Sequence, residues 1–182
     1  MIERDWQCLA QRPGYDGHLR VVVRTYRLPS GATAEWDIVL GGPTVAVLAV
    51  TDDERFVLAS QYRPGPGRVL LELPGGCVEA DEDPLAAAAR ELREETGFAA
   101  ATLTLVGRTW LGARAAIERY AVLAQGCHPV GPPAPEPEEF CETVLLDRAA
   151  LLAHLRTGDL TDLDVAYMCL DRLRNGLTAS PA

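Results

Sequence analysis

No stretch of this 182-residue chain approaches the uninterrupted apolar length that a membrane-spanning helix needs. Its start, MIERDWQCLAQRPG, lacks the basic-then-apolar pattern of a secretory leader. Cysteine is sparse. The five present (Cys8, Cys77, Cys127, Cys141 and Cys169) are odd in number and widely spread, with no C-x-x-C pair. That pattern argues against a disulfide framework or a zinc site and predicts a reducing, cytoplasmic setting. The three histidines, His18, His128 and His154, are equally scattered and read as ordinary surface or partly buried side chains. Positive charge is short as well: 17 basic residues face 26 acidic ones, a net charge of −9. A protein that tracks a nucleic-acid backbone needs a basic face, and none is visible. No internal repeat appears. What remains is one ordinary domain with a 48% hydrophobic composition, enough to build a core.

The chain organises around alternating segments. Residues 18–28 and 32–40 alternate enough to be two strands joined at Pro29-Ser30-Gly31, an N-terminal hairpin that Gly41-Gly42-Pro43 separates from the rest. Residues 44–50 are continuously apolar, as in a central strand covered on both faces. After the turn at Asp52-Asp53-Glu54, residues 55–62 supply its antiparallel partner, and 69–73 are short and extended. Strands are expected at 102–110, 118–124 and 142–147, and helices at 148–156 and 162–175. Strands on both sides of one helix, with helices at the end, predict a mixed sheet between helical layers, an α/β/α arrangement. The expected division is 1–42 for the hairpin region, 43–176 for the main domain and 177–182 for a disordered tail.

The most specified run is GCVEADEDPLAAAARELREETGF, from Gly76 to Phe98. Asp83 is placed to cap a helix, Pro84 suits its first position, and Gly97 suits a left-handed end. Glu91, Glu94 and Glu95 are three or four positions apart or adjacent, so a helix presents them together, with alanine and leucine on the opposite face. Carboxylates clustered in this way repel unless a cation sits among them, and Mg²⁺ takes such oxygen ligands together with phosphates and water. Arg90 is four residues before Glu94 and is placed to pair with it or with Glu82, holding a metal ligand in one rotamer. The plainer alternative is a solvated acidic face.

Gly76, Glu82 and the run Arg90-Glu91-Leu92-Arg93-Glu94-Glu95-Thr96-Gly97-Phe98 match a Nudix box, and the chain resembles the Nudix hydrolases. Gln61-Tyr62-Arg63, Leu71-Glu72-Leu73-Pro74-Gly75-Gly76, and Tyr26 to Gly31 leading into Trp36-Asp37-Ile38-Val39 narrow the likeness to the ADP-ribose pyrophosphatase branch. The resemblance implies an α/β class, a Nudix-type sandwich with a mixed sheet and an added N-terminal antiparallel hairpin. It implies Mg²⁺-dependent, or Mn²⁺-dependent, hydrolysis of a nucleoside diphosphate derivative, ADP-ribose to AMP and ribose 5-phosphate first among them. Gly75, Glu91, Glu94 and Glu95 would bind metal.

The same resemblance implies a loop glutamate as general base, here Glu136 or Glu138 in GPPAPEPEEF, for which a solvated acidic loop is the alternative. Arg63 becomes a candidate contact for phosphate or terminal ribose, or else a surface ion pair. Glu72 touches the nucleotide or is only a strand-end charge. Trp36 offers a stacking surface or packs in a core. Where the branch carries a Ser-Pro-Gly turn and then a glutamate, this chain reads Trp110-Leu111-Gly112 onward to Glu118. GDP-mannose or another ADP-linked sugar therefore stays open as substrate. A homodimer through the hairpin is also implied, while a non-catalytic nucleotide-binding module is a minority reading because every box glutamate is intact.

Overall fold

The computed structural model describes residues 5–17, 19–134 and 140–175. His18, the loop glutamates Glu136 and Glu138, and the tail 177–182 lie outside the described residues. Two compact units emerge, one comprising residues up to Pro43 together with Trp110–Glu118, the other Thr44–Thr109 and the chain from Arg119 onward.

The first unit is a four-stranded sheet ordered β1-β2-β3-β10, from β1 (Gln7–Asp16), β2 (Arg20–Arg27), β3 (Thr33–Leu40) and β10 (Ala115–Ala116). The expected hairpin is β2 and β3, paired in register from Arg20↔Leu40 to Arg27↔Thr33, with Gly31 at φ 84° in the turn. Two strands extend it. β1 pairs antiparallel with β2, exposed along its whole length and broken by two register shifts. β10 pairs parallel with β3. Neither addition was legible locally, because an exposed strand containing Pro13 and Gly14 shows no alternation, and a two-residue strand shows no pattern at all.

In the second unit, β4 (Thr44–Thr51) is central. It lies parallel to β11 (Glu118–Pro129) and antiparallel to β5 (Phe56–Arg63) and β7 (Gly75–Cys77). β6 (Arg68–Glu72) and β12 (Glu142–Leu146) flank β5, while β8 (Phe98–Ala99) and β9 (Thr102–Trp110) pair with β11. The sheet is mixed.

Alternate residues of β4 serve opposite layers. Val45, Val47 and Ala49 pack with Ala87, Ala88 and Leu92 of α1 (Pro84–Thr96). Ala46, Leu48 and Val50 pack with Leu151 of α2 (Arg148–Thr157) and with Val165, Ala166 and Cys169 of α3 (Leu163–Asn175). A strand covered on both faces must be apolar at every position, which explains the unbroken run. The second unit is thus an α/β/α sandwich, and the sheet end near β7 is where α1 meets bare glycine.

Candidate active site

The helix α1 starts and stops where its sequence directs. Asp83 Oδ1 accepts from the Leu85 amide at 2.8 Å and the Ala86 amide at 3.4 Å, Pro84 takes the first turn, and Gly97 at φ 72° donates to the Arg93 carbonyl. Gly97 has a second reason to be glycine, since a Cβ there would lie 2.2 Å from the Gly131 carbonyl oxygen. At the same end, the Thr143 hydroxyl on β12 donates to the Thr96 carbonyl at 3.0 Å. Both ends are therefore held.

The glutamates are distributed differently from the sequence expectation. Glu91 and Glu95 do not oppose the alanine-leucine face; they share the buried side of α1 with Ala87, Ala88 and Leu92, and are only 9% and 2% exposed. Glu94 is half exposed. The cause lies across the interface, where β7 presents glycine. A Cβ on Gly76 would stand 2.3 Å from Glu91 Oε1, so the carboxylate fills the volume a side chain would take. Glu95 Oε2 accepts from the Gly75 amide at 2.9 Å, and its Oε1 accepts from Gln61 Nε2 at 3.2 Å.

Arg90 organises the rest. Its guanidinium donates to both Glu82 oxygens at 3.0 Å, to Glu91 Oε1 at 2.8 Å, to Glu94 Oε2 at 3.2 Å and to the Cys77 carbonyl at 2.9 Å. The two partners anticipated from spacing, Glu82 and Glu94, are both engaged. The hydrogen bonds to Glu82 are the chief reason the guanidinium's affinity for its proton rises, and the Glu82 carboxyl is correspondingly lowered. Glu95 has no such cation in salt-bridge contact among the described residues. Burial pushes its carboxyl up to about 7, the Glu91 charge adds to the rise, and the Gly75 amide opposes it.

This corner therefore holds more carboxylate than cation. Among the described residues no three carboxylate, imidazole or thiol side chains converge as a ready-made metal cage. The arrangement nonetheless fits a hard divalent ion. Two buried carboxylates one helical turn apart, Glu95 with no cation in salt-bridge contact among the described residues, lie against the glycines of β7. Mg²⁺ characteristically takes one or two carboxylates and completes its shell with phosphate and water.

The remaining candidates separate by unit. Arg63 ends β5, and its Nε donates to Glu72, which is fully buried at the end of β6. Trp36 and Glu118 belong to the first unit. Trp36 packs edge-on against Trp6 at 5.5 Å, carries the Arg114 guanidinium over its ring at 4.9 Å, and has its indole nitrogen buried with no hydrogen-bond partner among the described residues. Glu118 opens β11, half buried. Local sequence reading did not single out Gln61 as a site residue, although it stands two residues from Arg63 and so on the same face of β5. It also missed the exposed Thr161 and the buried Arg119 and Asp162, which join Glu72 in one network and carry no local signature.

The NUDIX domain profile matches residues 41–163. An ADP-ribose pyrophosphatase of Bacillus subtilis (strain 168) is 40% identical over 84 residues, covering 46% of this chain and 45% of the relative. A methanol dehydrogenase activator of Bacillus methanolicus is 39% identical over 80 residues, covering 44% and 43%. The chain thus spans less than half the length of these curated relatives. A crystal structure titled as an ADP compounds hydrolase superposes with a TM-score of 0.78 over 93% of this chain and 95% of the other, at 19% identity, a likeness of fold.

Proposed function

This chain belongs to the NUDIX domain family, and from that premise we propose that it hydrolyses the diphosphate bond of a nucleoside diphosphate joined to a second moiety. ADP-ribose, cleaved to AMP and ribose 5-phosphate, is the substrate we assign first, supported by the similarity to a protein named ADP-ribose pyrophosphatase. The observation that carries the reading is the buried pair Glu91 and Glu95, set against Gly75-Gly76, with Glu95 held only by neutral donors among the described residues.

Mg²⁺, with Mn²⁺ as a substitute, is the ion we assign to Glu91, Glu94, Glu95 and the Gly75 carbonyl. All four offer hard oxygen donors, with no imidazole or thiolate among them. When bound, such an ion neutralises phosphate charge and makes the attacked phosphorus more electrophilic. Arg90 keeps Glu91 and Glu94 in single rotamers through its shared guanidinium. Gln61 and the Gly75 amide orient Glu95. Arg63 offers its terminal nitrogens to a phosphate, a bidentate geometry that suits guanidinium. Glu136 or Glu138 takes the proton of the attacking water. The new phosphorus–oxygen bond forms as the bond to the bridging oxygen breaks, and the second phosphate leaves with that oxygen.

A second copy of the chain is expected to pair through the N-terminal hairpin, beside which the edge strand β1 is exposed throughout. The cytoplasm is its assigned place, consistent with five free cysteines. The deciding experiment incubates the protein and Mg²⁺ with ADP-ribose, ADP-sugars, GDP-mannose and NADH, and resolves products by chromatography. AMP and ribose 5-phosphate from ADP-ribose, abolished by chelator, is the expected outcome. Turnover of none of them overturns the assignment.

A further inference from the structure

The second unit contains another ionic group, assembled from four separate segments, buried at Glu72, Arg119 and Asp162 and exposed at Thr161 and Asp164. Glu72, with no exposed surface, accepts from Arg63 Nε on one oxygen. Its other oxygen accepts both from the Thr161 hydroxyl at 2.6 Å and from the Thr161 amide at 3.2 Å. Thr161 is tied in turn to Arg119, whose Nη1 reaches the Thr161 carbonyl at 3.3 Å, Asp162 Oδ1 at 2.9 Å and Asp164 Oδ1 at 3.6 Å. Arg119 and Asp162 are both buried. Burying so many charges is costly, and apolar residues of similar volume stabilise a core equally well. A role in holding something is the economical reading.

What it holds is Arg63. Two donors fix one oxygen of Glu72, which leaves the other directed at Arg63 Nε. The guanidinium is then anchored at its inner nitrogen, while its terminal nitrogens have no partner among the described residues and the side chain stays partly open to solvent. Arg63 shares a face of β5 with Gln61, whose amide holds Glu95. Its charge is felt by Glu95 on one side and by Asp162 on the other.

We propose that Thr161, Asp162 and Arg119 are positioning residues, which lock Glu72 so that Arg63 presents its terminal nitrogens to a substrate phosphate. The turn into α3 is then part of the site without touching substrate. The assignment rests on the diphosphatase reading above, extending it to residues the helix motif does not contain.

The test measures the dissociation constant of the non-hydrolysable α,β-methylene analogue of ADP-ribose, with Mg²⁺, by calorimetry, alongside hydrolysis of ADP-ribose. Thr161→Val, which removes the hydroxyl but keeps the shape, should weaken binding about tenfold (about 1.4 kcal/mol), and Thr161→Ser should restore it. In an Arg63→Ala background the same Thr161→Val change should add less than about twofold, since coupled residues are not additive. A merely structural role predicts a lower melting temperature with equal loss of binding in both backgrounds, and that result overturns the proposal. So does unchanged binding in Thr161→Val, or no binding of the analogue to the unaltered protein. If Thr161→Val does not fold, Asp162→Asn is read in the same two backgrounds with the same criteria. Coupled loss of analogue binding in a protein that does not hydrolyse ADP-ribose sustains the positioning role and defeats only the hydrolase reading.

Discussion

Two ionic clusters in the second unit differ in how their charges balance. Around α1, Glu82, Glu91 and Glu94 share the guanidinium of Arg90, and Glu95 has none in salt-bridge contact among the described residues. Around Glu72, two arginines meet Glu72, Asp162 and Asp164, so that every buried carboxylate has an arginine in contact. The first is short of positive charge and fits an incoming cation. The second is nearly self-sufficient and fits a scaffold. Uncompensated carboxylate is retained where a ligand can complete it, while compensated charge is retained where geometry must be kept.

Arg119 carries the largest expected effect. Arg119→Met strands Asp162 in the interior, and loss of one partner of a buried pair costs about 3–5 kcal/mol. Urea denaturation should show it, and a change under about 1 kcal/mol would mean the second cluster is not balanced in the way described. The opposite behaviour is expected at Glu95. Glu95→Gln removes an uncompensated charge, so stability in chelator should hold or rise, while Mg²⁺-dependent turnover of ADP-ribose falls by at least about 100-fold, beyond the loss typical of residues that only support a ligand. Retention of turnover within a few-fold would remove Glu95 from the site.

Burial raises a carboxyl in each cluster, Glu95 in the first and Asp162 in the second. Burial outweighs Arg119 and pushes the Asp162 carboxyl up to about 6 from its ordinary 3.8. Between those values the folded chain binds more proton than the unfolded one. The Asp162 contribution is therefore complete below about pH 4, declines as pH rises through about 6, and is flat above. The stability of the unaltered protein relative to Asp162→Asn should fall by about 3 kcal/mol across that window, measured by denaturation at stepped pH. A flat difference would show that the Arg119 contact offsets burial fully. The smallest effect belongs to the start of α1. Asp83→Ala should cost about 1 kcal/mol, because two amides lose their acceptor. Thermal melting reads this directly, and no change would mean that Pro84 and the packed face suffice without the cap.

How much of this was legible in the chain differs between the clusters for one reason, sequence distance. The cap at Asp83, the stop at Gly97 and the spacing of Arg90 to Glu95 are all local, so α1 and its acidic content could be read directly. The burial of Glu91 and Glu95 could not, because it depends on Gly75 and Gly76 lying against the helix in a sheet paired through β4. Thr161 meets Glu72 across 89 positions, with nothing near either residue to mark the contact. Outer strand β1 escaped for a different reason: solvent on its exposed length imposes no alternation.

By itself the sequence determined the elements whose signals are short-ranged. These are the capped helix with its carboxylates in register, the continuous apolar strand β4 and the hairpin of β2 and β3. Tertiary structure alone decided which glutamates are buried, that Arg90 reaches Glu91 as well as the two partners its spacing anticipated, and that Arg63 is held from behind by Glu72. Helical and strand periodicity are properties of neighbouring residues. The balance of charge in a low-dielectric interior depends on every group the fold brings within a few ångströms, wherever it lies in the chain.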